Sequence, residues 1–245
     1  MKKYIITFTA IVIMWELLSA YSLVNPMFLP TPRETFNEGI RLFSEKKIFM
    51  DMVYSLFRIM SGLLLAFAVG IPLGILLGSF GGVYAYVEPA LDFFRSIPPI
   101  LVFPLALLVL STGEESRIAV IVFGCVLIMV LNASKGVMNG NKIRIKVAKI
   151  MGAAWHQILL RVVIFDALPQ IFIGIRVALS VGIIVGIVTE MLVGTKYGLG
   201  SRVVYAQTAY ATPELYFSVI LVGLLGFLMN KVLSIVERRV IHWKC

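Results

Sequence analysis

The chain has 245 residues, of which 60% are hydrophobic and 14% charged, with a formal net charge of +9. Its mean hydropathy of +0.96 excludes a soluble domain of this size, and several separate runs reach the about 20 residues that a helix needs to cross a bilayer core. The basic residues flank those runs instead of forming one patch, which excludes a nucleic-acid surface, and the two cysteines, Cys125 and Cys245, supply neither a disulfide framework nor a metal site.

The first apolar run, roughly Tyr4 to Val24, follows Met1-Lys2-Lys3. Its length and the lack of an A-x-A type cleavage site predict an uncleaved spanning helix. Glu16 within it is costly in lipid, so it is either a pathway residue or a carboxylate with a polar partner in the bundle. Residues 25–51 read as an external loop in which Phe36, Ile40 and Phe43 mark an interfacial helix. The second span, Val53 to Phe80, carries Pro72 and sets Gly62, Ala66, Gly70, Gly74, Gly78 and Gly82 four residues apart. Such a ladder lets transmembrane backbones approach closely, which assigns Gly70, Gly74 and Gly78 to helix packing.

The third run, Pro89 to Leu110, contains Arg95-Ser96-Ile97-Pro98-Pro99 and then Pro104. Adjacent prolines forbid an undisturbed helix, and a broken membrane helix survives only where protein or a water-filled cavity satisfies its backbone, so Ser96 and Pro98 either border a pathway or mark a simple kink. A short polar loop, Ser111 to Arg117, holds Glu114 and Glu115 without the convergent groups that paired carboxylates need for catalysis. The fourth span, Ile118 to about Leu131, leads through Asn132 to Lys135 into residues 142–169.

That stretch, KIRIKVAKIMGAAWHQILLRVVIFDALP, interrupts the apolar sequence. Ile143, Val147, Ile150, Ala154, Ile158 and Val162 recur at helical spacing, while Lys142, Lys146 and Lys149 share another face. Gly152 predicts a break into two short helices, and Pro169 is placed at the start of the next helix, where a missing N–H matters least. The fifth span, Ile171 to Leu192, repeats the small-residue ladder with Gly174, Ala178, Gly182 and Gly186. Gly182 and Gly186 are assigned to packing, and Glu190, one step further, either holds a gate, meets a basic partner or substrate, or snorkels at the interface. A loop from Gly194 to Glu214 precedes the sixth span, Leu215 to Val236. His156 and His242 have no ligand-like spacing partners, and no G-x-x-x-x-G-K-[ST] occurs, so no metal or cofactor is assigned and ATP hydrolysis is expected on a separate subunit.

The motifs together resemble the membrane subunits of ABC importers, the binding-protein-dependent permeases, over nearly the whole chain. Ala148, Gly152 and Pro169 match their cytoplasmic signature loop; Lys146 stands where glutamate is frequent and Phe165 where a first proline is common. The FLPTP stretch from Phe28, the R-x-I-P-x-x-x-x-x-P of Arg95, Ile97, Pro98 and Pro104, the Glu114-Glu115-Ser116 hairpin, Glu190 with Gly198-Leu199-Gly200, and the closing Glu237-Arg238-Arg239 with Trp243 are similar to the branch that handles nitrate, taurine and other sulfonates. The resemblance implies an all-α, polytopic membrane protein with about six transmembrane helices, one permease domain over 1–245, and a coupling-helix loop at about 140–169. It implies ATPase contacts at Ala148, Met151, Gly152, Ala153 and Trp155. The implied partners are ABC ATPase subunits, an extracytoplasmic substrate-binding protein, a second permease copy and the lipid bilayer. The implied location is the inner membrane, with both termini cytoplasmic, and the implied solute is small and polar or anionic, with pyrimidine precursors or flavins in some relatives. An autonomous channel or secondary transporter is the competing class, distinguished by ATP dependence.

Overall fold

The computed structural model describes residues 2–21, 25 and 27–242. Val24, where the first span was expected to end, and Trp243, Lys244 and Cys245 lie outside the described residues. The described residues form helices and turns only: α1 Lys2–Ala20, α2 Pro32–Ser44, α3 Lys47–Ser79, α4 Gly81–Arg95, α5 Phe103–Leu110, α6 Glu114–Met138, α7 Lys142–Ile150, α8 Trp155–Ile158, α9 Ile164–Leu192, α10 Leu199–Thr208 and α11 Thr212–Val240. The membrane-spanning character expected from composition and the all-α class implied by the resemblance are therefore present. Four stretches are long and apolar enough to cross a bilayer: Ile48–Ser79, Glu114–Met138, Trp155–Leu192 and Thr212–Val240. α4 and the stretch Pro99–Leu110, a short 3-10 turn running into α5, are bent by 83° and make a fifth if counted as one span, and the apolar part of α1, Thr9–Ala20, is shorter. The described residues thus hold four or five of the about six spans expected.

The chain divides into two compact units, Met1–Leu56 with Glu190–Leu225, and Phe57–Thr189 with Gly226–Cys245. In the first, Thr31 caps α2 by accepting from the Glu34 N–H at 3.1 Å while Glu34 accepts from the Thr31 N–H at 2.9 Å, and Pro32 opens the helix. Leu42 of α2 is buried, whereas Phe36, Ile40 and Phe43 stay exposed on one stripe, the pattern of a helix lying at an interface. Trp15 of α1 donates to the Pro30 carbonyl at 3.0 Å and stacks on Tyr216 of α11 at 5.9 Å.

In the second unit the glycine ladder of α3 faces α6. A Cβ on Gly70 would stand 2.7 Å from the Met129 Cβ, one on Gly74 2.5 Å from the Ala133 Cβ, and one on Gly78 2.6 Å from the Ser134 carbonyl oxygen. Ser134 donates across the same seam to the Gly74 carbonyl at 2.9 Å. Gly82 does not extend the ladder, because the backbone breaks at Phe80 and nothing lies within 4 Å of its Cβ position. Gly74→Leu is therefore expected to cost about 1–3 kcal/mol through overpacking, and Gly82→Leu to cost little. The thermal midpoints of the two variants in detergent check this.

Most boundaries differ from the sequence expectation: α3 begins at Lys47 instead of Val53, α6 at Glu114 instead of Ile118, α9 at Ile164 instead of Ile171, and α11 runs beyond Leu215 and Val236 at both ends. The third segment begins at Gly81, not Pro89, since Pro89 sits in a helix interior that tolerates it. α6 continues past Leu131 to Met138 because Asn132 is held by Gln170 of α9 at 3.0 Å and Ser134 by Gly74. Pro169 lies inside α9, not at its start; a π-turn over Leu159–Val163 joins α8 to α9, and the helix forgoes one backbone hydrogen bond at the proline. Finally, the loop between the fifth and sixth spans contains α10.

Candidate functional site

The two α7 boundaries are built by side chains and by backbone geometry. Asn141 caps α7, its Oδ1 accepting from the Ile143 and Arg144 N–H groups at 2.9 and 3.3 Å. Asp166 of α9 accepts from the Asn141 N–H at 3.1 Å and pairs with the Arg144 guanidinium, so the start of α7 is tied to the membrane helix. At the other end the Gly152 N–H donates to Lys149 O at 3.0 Å and the Ala153 N–H to Ala148 O at 3.1 Å. This is a Schellman motif, and it gives the Ala148-x-x-x-Gly152 spacing its physical reason: Gly152 takes φ +80°, a conformation that L side chains resist.

The motif turns an apolar edge outward. Ile143, Val147, Ile150 and Met151 are exposed, Ile150 to 85% and Met151 to 80%. Ala148, Met151, Gly152 and Ala153 line a cleft of 330 Å³ together with Gln157, Ile158, Arg161 and Val162. Trp155, the fifth expected contact, is half-exposed and outside that lining. The apolar stripe read from the sequence therefore divides: Ile158 is buried, and its α7 members are not.

Glu190 belongs to a different constellation, and it is 1% exposed. Its carboxylate accepts from the Ser55 hydroxyl at 2.8 Å and the Gly200 N–H at 2.9 Å, while Ser55 Oγ accepts from the Leu199 N–H at 2.9 Å. Asp51 accepts from the Gly198 N–H at 2.9 Å and from Arg202, which also donates to Glu214 at 2.7 Å. Successive amides at the start of α10 are thus each met by an acceptor from α3 or α9. Helix N-terminal amides lack internal partners and carry partial positive charge, so buried carboxylates are stabilised there. Burial removes the snorkelling reading of Glu190 and explains why Glu190 and Gly198-Leu199-Gly200 occur together. Beside this latch is a cavity of 440 Å³ whose lining includes Arg41, Asp51, Lys196, Arg202, Tyr205 and Glu214. A hydrogen bond from Arg41 to Glu38, and then that carboxylate's charge, raises the Arg41 pKa further above the ordinary arginine value.

Among the remaining sequence candidates, Ser96 is exposed and donates to the Asp92 carbonyl at 2.8 Å, Pro98 is exposed at the break before α5, and Glu16 is exposed on α1. Ser96 and Pro98 belong to one unit, Glu16 and Glu190 to the other. Gly182 faces Leu63 and Cys125, and Gly186 faces Ile59. Sequence reasoning passed over Asp51, Ser55, Arg202 and Glu214, and also Arg58, which is 1% exposed and pairs with Glu114. Charges inside or at the ends of apolar runs were the available signal for Asp51 and Arg58.

Residues 70–242 match the family model described as the binding-protein-dependent transport system inner membrane component. The chain belongs to this family. The permease is 32% identical over 230 residues to a probable ABC transporter permease protein of Brucella abortus (strain 2308), covering 94% of this chain and 90% of that one. It is 29% identical over 242 residues to the taurine transport system permease protein TauC of Escherichia coli (strain K12), covering 97% and 88%. Other relatives are named for aliphatic sulfonates, nitrate and bicarbonate. Its fold is similar to a chain of the MetNI methionine ABC transporter solved in inward-facing conformations, with a TM-score of 0.69, 20% identity, and coverage of 78% of the permease and 94% of that chain. The chain is accordingly a membrane-embedded permease component of an ABC importer.

Proposed function

We propose that the permease forms, as a dimer in the inner membrane, the translocation pathway for a small solute bearing an oxyanion group, delivered by an extracytoplasmic binding protein and driven by two ATPase subunits. One observation carries the coupling assignment: α7 is rigidly capped at both ends yet leaves Ile143, Val147, Ile150 and Met151 uncovered by the rest of its unit. A surface helix with no partner would be expected to turn such residues inward, so a hydrophobic groove on another protein fits this edge. The five contacts in this reading are Ala148, Met151, Gly152, Ala153 and Trp155, with Lys142, Lys146 and Lys149 flanking them. α7 then lies on the cytoplasmic side with both termini, and the α10 latch lies on the outer side. Glu190 holds a gate element indirectly, by fixing α10, and does not touch the solute.

The energy comes from the partner, because the chain has no phosphate-cradling loop. ATP-driven closure of the ATPase pair pulls α7, and the Asp166 tie passes that movement to α9. Taurine, sulfonates, nitrate and bicarbonate, the solutes for which relatives are named, share an oxyanion group, which supports the solute class. Purification of the tagged permease in mild detergent is expected to bring an ATPase at about one copy per permease chain, and proteoliposomes with the matching binding protein should take up solute only with ATP. A homo-oligomer without ATPase and with ATP-independent flux would instead identify an autonomous channel or carrier.

A further inference from the structure

The two faces of α9 differ in chemistry. Gly174, Ala178, Gly182 and Gly186 are turned toward Asn132, Cys125, Leu63 and Ile59 of α6 and α3. On the opposite face Ile173, Arg176, Val177, Ser180 and Ile184 are exposed, the Arg176 side chain to 51%. Arg176 is the only charged residue between Asp166 and Glu190. At 1.5 Å per residue it stands about 15 Å along the helix from Asp166. Its guanidinium pairs with Glu237 of α11, which is itself partly exposed, and the Ser180 hydroxyl donates to the Arg176 carbonyl at 3.3 Å.

A half-exposed arginine on a membrane helix is costly against lipid tails, and charges at such positions face water-filled cavities or partners. The Gly-bearing face is already occupied by protein, so the Arg176 face is the one left for water. We propose that this face of α9 lines the aqueous pathway and that Arg176 is the residue that meets the anionic group of the transported solute, exchanging Glu237 for it. The planar guanidinium offers two parallel donors to the paired oxygens of a sulfonate, nitrate or bicarbonate. Glu237 is the resting counter-ion: it neutralises Arg176 when the pathway is empty and is released when the solute's oxygens take its place. The residue thereby selects against cations without holding a bare charge in the membrane. This inference rests on the importer reading.

Cysteine accessibility in membrane vesicles containing the complete transporter tests it, in a Cys245→Ser background that retains the buried Cys125. Ser180→Cys is expected to react with the anionic reagent 2-sulfonatoethyl methanethiosulfonate, itself a small sulfonate, about tenfold faster than with the cationic trimethylammonioethyl analogue, after correction for their rates with a free thiol. Adding Arg176→Gln should abolish that preference. An unreactive Ser180→Cys would place the face against lipid or protein and overturn the proposal, as would a charge preference indifferent to Arg176.

Uptake provides the second arm. Arg176→Gln should assemble and raise the KM for solute roughly tenfold to a hundredfold, and the exchange Arg176→Glu with Glu237→Arg should likewise assemble but not restore uptake. Recovery of uptake by the exchange would show a purely structural ion pair and overturn the proposal. If the wild-type complex shows no ATP-driven uptake of taurine, nitrate or bicarbonate, the importer reading fails for these solutes, and the labelling result still decides whether the face is aqueous.

Discussion

Glu190→Ala is expected to lower the thermal midpoint of the detergent-solubilised permease sharply. The carboxylate is buried and accepts from Ser55 Oγ and the Gly200 N–H. Hydrogen bonds to a charged group contribute about 1.5–3 kcal/mol each, and truncation leaves both donors in a dry site, so a loss on the order of 3 kcal/mol or more follows. Glu190→Gln keeps one acceptor oxygen and should lose about half as much. Lys196→Ala, in the same unit, removes only a cation over the Tyr197 ring at 5.3 Å and should shift the midpoint little. An equal midpoint for Glu190→Ala and Lys196→Ala would show that the carboxylate does not hold α10. If α10 is fastened as described, limited proteolysis of Glu190→Ala should cut first within residues 194–211.

Gly152→Glu should insert into the membrane and reach normal levels, yet lose ATPase association and at least about 90% of uptake. Two physical effects combine there. Any L residue at φ +80° is strained by roughly 1–2 kcal/mol, which loosens the Schellman turn. A carboxylate at that point also brings charge to the apolar edge formed by Ile150 and Met151. Gly152→Ala separates the two, because nothing lies within 4 Å of its Cβ position: strain without charge. It should retain partial association, and Met151→Glu, charge without strain, should lose it. Co-purification of the ATPase with each variant is the measurement; normal binding and uptake by Gly152→Glu would overturn the docking assignment.

The latch around α10 was only half visible in the sequence. Glu190 stood out as a carboxylate at the end of an apolar run, and Gly198-Leu199-Gly200 as a motif, but nothing in their spacing says that one caps the other. Asp51 and Ser55 are remote from both along the chain, separated from the α10 amides they meet by 147 and 144 residues. Pairings at such distance follow from how helices pack, which local periodicity does not encode. Arg58 and Arg176 were passed over for a related reason: each is a single charge within a long apolar run, and only its partner, Glu114 or Glu237, shows how the membrane tolerates it.

What the sequence by itself determined is the class of molecule and its punctuation. Apolar runs of spanning length can be stable only as membrane helices, because lipid leaves backbone groups no other partner. The four-residue glycine ladders mark faces of close approach, and Gly152 marks a helix end. The tertiary structure alone decided which helix each ladder meets, that Pro169 lies inside α9 and not at its start, and that α7 is tied by Asp166 while its apolar edge stays uncovered. Periodicity reports which residues share a face. Which surface that face meets depends on contacts between segments far apart in the chain, and those are settled only when the whole chain packs.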